Sequence, residues 1–311
     1  MLRRRRAGAA LVLVAALLAG CDPGGDGAAG PTTAADDPTT TAAAAPEGYG
    51  PAVLLGRLDP AVDESSGLAA SRRNPGLLWT HNDSGDDPVV YCADRQARSC
   101  GTWLVTGAGA RDWEDMAVGP GPEAGRSYLY LGDIGDNNGD LRQVVVYRVP
   151  EPAVPAAAGA GRGATEAAER IPLRYADGPH DAEALLVHPT SGDIYVVTKE
   201  PLTARVYKAT DGVLERIASL SIGIGLVTGG DISPDGRRVA LCTYASGFEL
   251  TLPASATPDG FDAIWRQPLR PVDLPPRTQG EALAYRLDGN ALLTTSERPP
   301  APLQEIERRG P

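Results

Sequence analysis

Acidic side chains recur along this chain at a regular spacing, and they are its best candidates for chemistry. Glu64, Glu114, Glu183, Asp231 and Glu281 each lie in a short acidic or polar signal followed by an apolar pair, at residues 64–69, 113–117, 181–186, 229–233 and 280–284. A second set of polar residues follows in loops, with Asp83 in 81–87, Asp133 and Asp136 in 132–140, then Lys199–Glu200 and Ser296–Glu297. Carboxylates that converge in a partly enclosed space repel one another and raise one another's pKa unless a cation or hydrogen bonds compensate. A hard cation such as calcium, which takes about six to eight oxygen ligands, answers that crowding. Asp136, Asn138 and Asp140 alternate like the opening of a calcium loop, although the later Gly and Glu of that motif are absent. Asp and Asn also form turns and bond neighbouring backbone amides, so structural roles stand beside metal binding and catalysis.

Two of the three histidines, His81 and His180, fall beside acids in these loops, where a general base or a metal ligand would sit. His188 precedes Pro189 in a turn and reads as structural. Trp113 suits a wedge between repeats better than a stacking platform. The Gly-x-Ser-x-Gly elbow, the phosphate-cradling glycine loop with Lys, and His-Glu-x-x-His are all absent.

Something must hold these acids together, and the spacing of the repeats says what. Measured from Gly67, Asp115, Ala184, Asp231 and Ala282, the steps are 48, 69, 47 and 51 residues. A period near 50 marks a propeller or another repeat array, in which no single unit buries its own apolar face. Runs rich in β-formers follow each signal at 77–80, 128–131, 194–198, 239–244 and 291–295, mostly after Asn-Pro-Gly or Asp-Gly turns. Third strands are expected at 89–91, 144–149, 204–208 and 248–252, and fourth strands at 102–105, 170–174, 214–218 and, more weakly, 264–265. The last copy lacks its fourth strand, which residues 51–58 can supply from the other end. The expected fold is therefore all-β: a single β-propeller of five four-stranded blades, or six with a degenerate copy, closed by an N-terminal strand. The long step contains 150–168, an Ala/Gly/Pro stretch that reads as a surface insertion. In an antiparallel blade the opening signal and the residues after the second strand share one face. The acids should thus gather there, around the mouth of the central channel.

The ends of the chain address the compartment. Arg3 to Arg6 precede an apolar stretch at 7–17, too short to span a bilayer, and Leu18-Ala19-Gly20-Cys21 follows. This resembles the lipobox of bacterial lipoproteins. The resemblance implies a signal peptide at 1–20, Cys21 as the lipid-bearing (palmitate-type) residue, and a cell-membrane, extracytoplasmic location. Residues 21–48 read as a disordered tether, because they hold almost no large apolar side chain. Residues 49–311 form the propeller domain. A net charge of -11, with Lys199 and Lys208 the only lysines, argues against nucleic acid. Cys92 and Cys100 lie between two strand-like runs and suit a disulfide across a hairpin, while Cys242 sits in an apolar run and reads as buried. A monomer is expected.

The motifs at 64–69, 78–86, 112–117, 131–137 and 233–240 resemble those of secreted bacterial β-propellers, distantly similar to WD40-like, NHL-type and phytase-like propellers. Phytase-like propellers hold phosphate with calcium and basic residues, and this chain has no clear basic cluster to match. The leading expectation is a lipid-anchored propeller that binds an unidentified ligand or protein on its acidic face, with calcium as a structural element. The alternative is a metal-dependent hydrolase of phosphoesters or lactones, with His81 or His180 as base and Glu114, Glu183 and Glu281 on the metal. Those three glutamates share one position in the repeat, which Ser66 and Gly230 occupy elsewhere, so a site should be lopsided.

Overall fold

The computed structural model describes residues 48–155, 161–223 and 225–310. Cys21, the segment at 1–20 and most of the tether lie outside the described residues. What is described is nearly all β. After β1 (Gly48–Arg57), a first antiparallel meander holds β2 (Ser65–Ala70), β3 (Leu77–Asn82), β4 (Val89–Asp94) and β5 (Ser99–Leu104). The second contains β6 (Trp113–Pro120), β7 (Ser127–Asp133) and β8 (Val144–Pro150), detours through β9 (Gly161–Ala164), and ends on β10 (Glu169–Tyr175). The third runs through β11 (Ala182–Val187), β12 (Ile194–Thr198), β13 (Leu202–Thr210) and β14 (Val213–Gly223). β15 (Val227–Ile232), β16 (Arg238–Thr243), β17 (Gly247–Thr251) and β18 (Arg270–Val272) make the fourth, and β19 (Gly280–Tyr285), β20 (Ala291–Ser296) and β21 (Pro302–Arg309) the last.

The first strands of the meanders, β2, β6, β11, β15 and β19, touch in cyclic order, with β19 returning to β2. This is a propeller arrangement. The closing pair is β1 antiparallel to β21, from Gly48 opposite Arg309 to Arg57 opposite Pro302. Two sequence expectations need correction. The stretch at 150–168 is not only surface insertion, because β9 within it pairs parallel with β5. Residues 264–265 are no strand: they lie in a 3₁₀ helix (Pro258–Arg266) whose Trp265 packs against Tyr195, and β18 is the fourth strand instead.

Inner strands are buried at nearly every residue, as strands covered on both faces must be, and they are rich in small side chains. A Cβ on Gly229 would collide with the Glu281 carbonyl of the next inner strand, so only glycine permits that approach. The core fills the gaps between neighbouring meanders. Trp79, Val90, Trp113, Met116 and Leu129 pack between the first and second, and Tyr130, Val146, Leu185 and Val196 between the second and third. Burying each such apolar side chain contributes about 1.5–3 kcal/mol.

Side chains also staple the inner strands across the ring. The Asp115 carboxylate accepts the backbone N–H of Met116 (2.8 Å), Leu185 (3.0 Å) and Gly230 (3.2 Å), joining three inner strands. Asp231 does the same on a smaller scale, accepting from Ile232 (2.8 Å) and Tyr285 (2.9 Å). Asp231 therefore acts as a staple and is removed from the set of candidate metal ligands.

Candidate functional site

At the end of the ring where the inner strands begin, β6 is entered through Asp112, Trp113 and Glu114. The two-residue period of a strand puts Asp112 and Glu114 on one side and Trp113 on the other. Trp113 is buried against the rings of His81 (5.4 Å) and Tyr147 (6.4 Å), which fixes the direction of its neighbours. Asp133, at the end of β7, holds Asp112 in place by accepting its backbone N–H (3.0 Å) and pairing with Arg111 (3.2 Å). The Glu114 and Asp112 carboxylates meet over Gly135, where a Cβ would strike both. Asp83, in the loop after β3, completes the group. One oxygen from each of Asp83, Asp112 and Glu114 lies within 4.8 Å of the others, a spacing that can hold a metal ion.

Glu114 is only 4 % exposed. Among the described residues no donor hydrogen-bonds its carboxylate, although its backbone carbonyl accepts from Ser66 Oγ (2.5 Å). Burial, then the charges of Asp83 and Asp112, push its pKa well above the usual range. Burial raises Asp83 to about 6 and also raises Asp112, against the pull of Arg111. Burial and mutual repulsion both disfavour the charged form of these carboxylates, and an opposite charge would relieve both.

Beside this triad lie the other two glutamates of the same repeat position. Glu183 pairs with Lys199 through one oxygen, and its second oxygen is buried with no hydrogen-bond partner among the described residues. Glu281 accepts from Gln279 Nε2 (3.0 Å), and burial followed by repulsion from Glu297 raises its pKa. Burial raises Glu297 to about 7, with Asp83 and Glu64 adding to the effect. The Lys199 ammonium lies 5.6 Å from the centre of the Tyr244 ring, and its charge opposes the rise at Asp83, Asp112, Glu114, Glu281 and Glu297. Three repeat-position glutamates thus converge on one ammonium. The array is lopsided, because Ser66 and Gly230 offer no carboxylate.

The remaining sequence candidates fall elsewhere. Asp136 turns its carboxylate into its own loop, accepting the N–H of Asp140 (3.2 Å) and Leu141 (2.9 Å), so it does not open a calcium loop. Glu64 borders the mouth, where its charge reaches Asp83 and Glu297. His81 does not reach the mouth: it is 0 % exposed, and its Nδ1–H donates to the Asn82 carbonyl (2.8 Å). Burial lowers its pKa to about 4, so it stays neutral, with the backbone of Asn82 and Asp115 opposing the shift. His180 stands in a separate cluster with Asp177 (3.1 Å) and Glu200 (3.3 Å), stacked against Tyr175 and Tyr207. Neither histidine adjoins the triad. Cys92 and Cys100 are joined as a disulfide, and Cys242 is buried.

Three residues of the site were not among the metal or catalytic candidates named from sequence: Asp112, Lys199 and Glu297. Asp112 was accessible to reasoning, since it lies two residues before Glu114 in an extended segment. Lys199 and Glu297 had only their place in the face loops to recommend them.

No family model matches the chain, and no curated protein matches it in sequence. Among solved structures, it is similar to the PQQ-bound form of aldose sugar dehydrogenase from Streptomyces coelicolor, at 10% identity and a TM-score of 0.49 over 85% of this chain and 99% of that one. An oxidoreductase (glucose dehydrogenase) from Thermus thermophilus is similar at 12% identity and a TM-score of 0.46, covering 83% and 100%. The WD40 repeats of RRP9 align at 11% identity and a TM-score of 0.42, covering 78% and 79%. These are likenesses of fold and not of site.

Proposed function

We propose that this chain is a lipid-anchored, extracytoplasmic β-propeller of five blades whose acidic mouth binds a hard divalent cation, calcium by its chemistry, and through it a ligand. Asp83, Asp112 and Glu114 would hold the ion, and Lys199, Glu281 and Glu297 would face what the ion holds. The observation that carries the reading is Glu114, a carboxylate 4 % exposed, without a hydrogen-bond donor, and within 4.8 Å of two further carboxylates. All-oxygen, triply acidic donors suit calcium or magnesium better than zinc or copper, which favour nitrogen and sulfur. Calcium takes about six to eight oxygens, so three carboxylates leave positions open for oxygen atoms of a ligand or water.

A hydrolase reading requires a base that reaches a metal-bound water. His81 is sealed in the core and His180 belongs to another cluster, so binding is the stronger reading. Titration calorimetry of chelator-treated protein with calcium and with magnesium tests it. Wild type should bind one ion saturably, and Asp112→Asn should abolish or greatly weaken binding. Equal calcium affinity in both proteins would defeat the proposal. The anchor is tested separately by palmitate labelling in cells, which Cys21→Ser should abolish.

A further inference from the structure

We infer that the opposite end of the ring carries a second binding site, for the phosphate or carboxylate group of a small anionic molecule, built on Arg72 and Arg73. Inner strands finish at this end, and a cleft of about 650 Å³ opens there between the first two meanders. Its walls include Arg72, Arg73, Arg126, Glu123, Gly119 and Pro120, three cations against one acid. That volume is in the usual range for a small-molecule site.

The charge of the wall is the telling feature. Some arginines of this acidic chain pair with a carboxylate, as Arg95 does with Glu305 and Arg148 with Glu169. Arg126 does so, pairing with Glu123 (3.0 Å) and Glu166. Arg72 and Arg73 do not: among the described residues neither forms an ion pair, and their recorded side-chain bonds go to backbone carbonyls. Arg72 Nη1 donates to the Pro189 carbonyl (3.0 Å), and Arg73 Nη1 donates to the Glu151 carbonyl (2.9 Å). Burial lowers the pKa of Arg72, against the opposing charges of Asp231 and Glu151, neither of which is close enough to form an ion pair with it. Two adjacent guanidiniums with donors to spare, on the wall of a cleft, match the geometry of an oxyanion.

The turn that carries them is rigid before any ligand arrives. Glu151 is fully buried and accepts hydrogen bonds from Ser71 Oγ, Trp79 Nε1 (2.8 Å), the Arg73 backbone N–H (3.0 Å) and Ser127 Oγ (2.6 Å). Asn74 adds bonds to Pro152 O (2.9 Å) and from Val154 N–H (2.9 Å). The β2–β3 turn of one meander is thereby fastened to the end of β8 in the next. Such pre-organisation lowers the ordering cost of binding. The protein's overall negative charge disfavours a long polyanion and leaves a compact one as the fitting occupant.

The test is isothermal titration of the chelator-treated full folded domain with inorganic phosphate and with citrate at low ionic strength. Chelation removes any metal-held anion at the acidic mouth from the readout. Saturable binding of either anion is expected, with the preferred one identifying the group. Arg73→Met, at an exposed side chain, should weaken it by about tenfold or more, as the loss of one charge-assisted hydrogen bond implies. Arg72→Met should do the same if circular dichroism shows it folded, and Glu123→Gln should tighten binding. Absence of saturable binding for both anions at millimolar concentrations, or wild-type affinity in Arg73→Met, overturns the proposal.

Discussion

Replacing Glu114 by Gln separates two consequences of its buried carboxylate. The shape is kept, the charge is lost, and the new amide can donate to the carboxylates of Asp83 and Asp112. Without metal, the raised pKa makes the wild-type carboxyl take up a proton on folding, which the amide need not do, so the variant should be more stable by about 1 kcal/mol or more. In a folded unit of about 250 residues that raises Tm by about 2–4 °C. With calcium at about a hundred times its Kd, wild type gains about 2.7 kcal/mol, which corresponds to a rise of about 5–11 °C. If losing one of three ligands weakens binding about a hundredfold, the variant at the same calcium gains only about 0.4 kcal/mol, or about 1 °C. The order of melting therefore inverts between chelator and calcium. Trp113, buried beside Glu114, provides an intrinsic fluorescence signal for the melts. Equal calcium shifts in the two proteins, or a metal-free variant that melts below wild type, would refute the reasoning.

Three further outcomes are expected. Asp83, Glu297 and Asp231 titrate in the folded protein at about 6, 7 and 7, against ordinary values of 3.8, 4.5 and 3.8, so between those limits the folded state holds protons the unfolded chain has released. Metal-free stability is therefore fully present below about pH 4 for these groups and lost as pH rises through about 6 to 7; melts in chelator across that window should fall, and a rise would contradict it. Glu151→Ala strands the donors of Ser71, Trp79, Arg73 and Ser127 and should cost about 3–5 kcal/mol in a denaturant titration, with Glu151→Gln costing less. Opening the Cys92–Cys100 disulfide, which spans a separation of 8 residues, should cost about 2.5 kcal/mol and lower Tm under reducing conditions.

The fold was legible because its signal is periodic. Segments such as 194–198, after Ser191-Gly192-Asp193, and 239–244, after Pro234-Asp235-Gly236, are continuous β-forming runs, and each occurs where the repeat requires it. The error at 264–265 has a local cause. Ile264 and Trp265 are large and apolar, yet they follow Pro258 and Gly260, and a single helical turn buries them as well as a strand would. The site was legible only in part, because acids of similar sequence context met different partners. Glu114 and Asp115 are neighbours, but one faces two carboxylates at the mouth and the other joins three backbone amides inside. Asp231 resembled a metal candidate in sequence and became a staple for the same reason. Arg72 and Arg73 carry no signal in sequence, since an arginine pair becomes informative only once the cleft it lines is visible.

Sequence alone determined the repeat, the all-β class, the strand at each end of the chain and the shared position of Glu114, Glu183 and Glu281. Those follow from local spacing and side-chain chemistry, which a linear chain carries in full. Tertiary structure decided which of the acids stand together, that His81 is walled off from them, that Lys199 stands among them, and that two arginines line a cleft at the other end. These depend on the direction and distance of side chains from different strands and loops, such as Asp83 and Glu114, which are 31 residues apart. Electrostatic energies change steeply over a few ångströms and with burial, so they are set by packing and not by order along the chain.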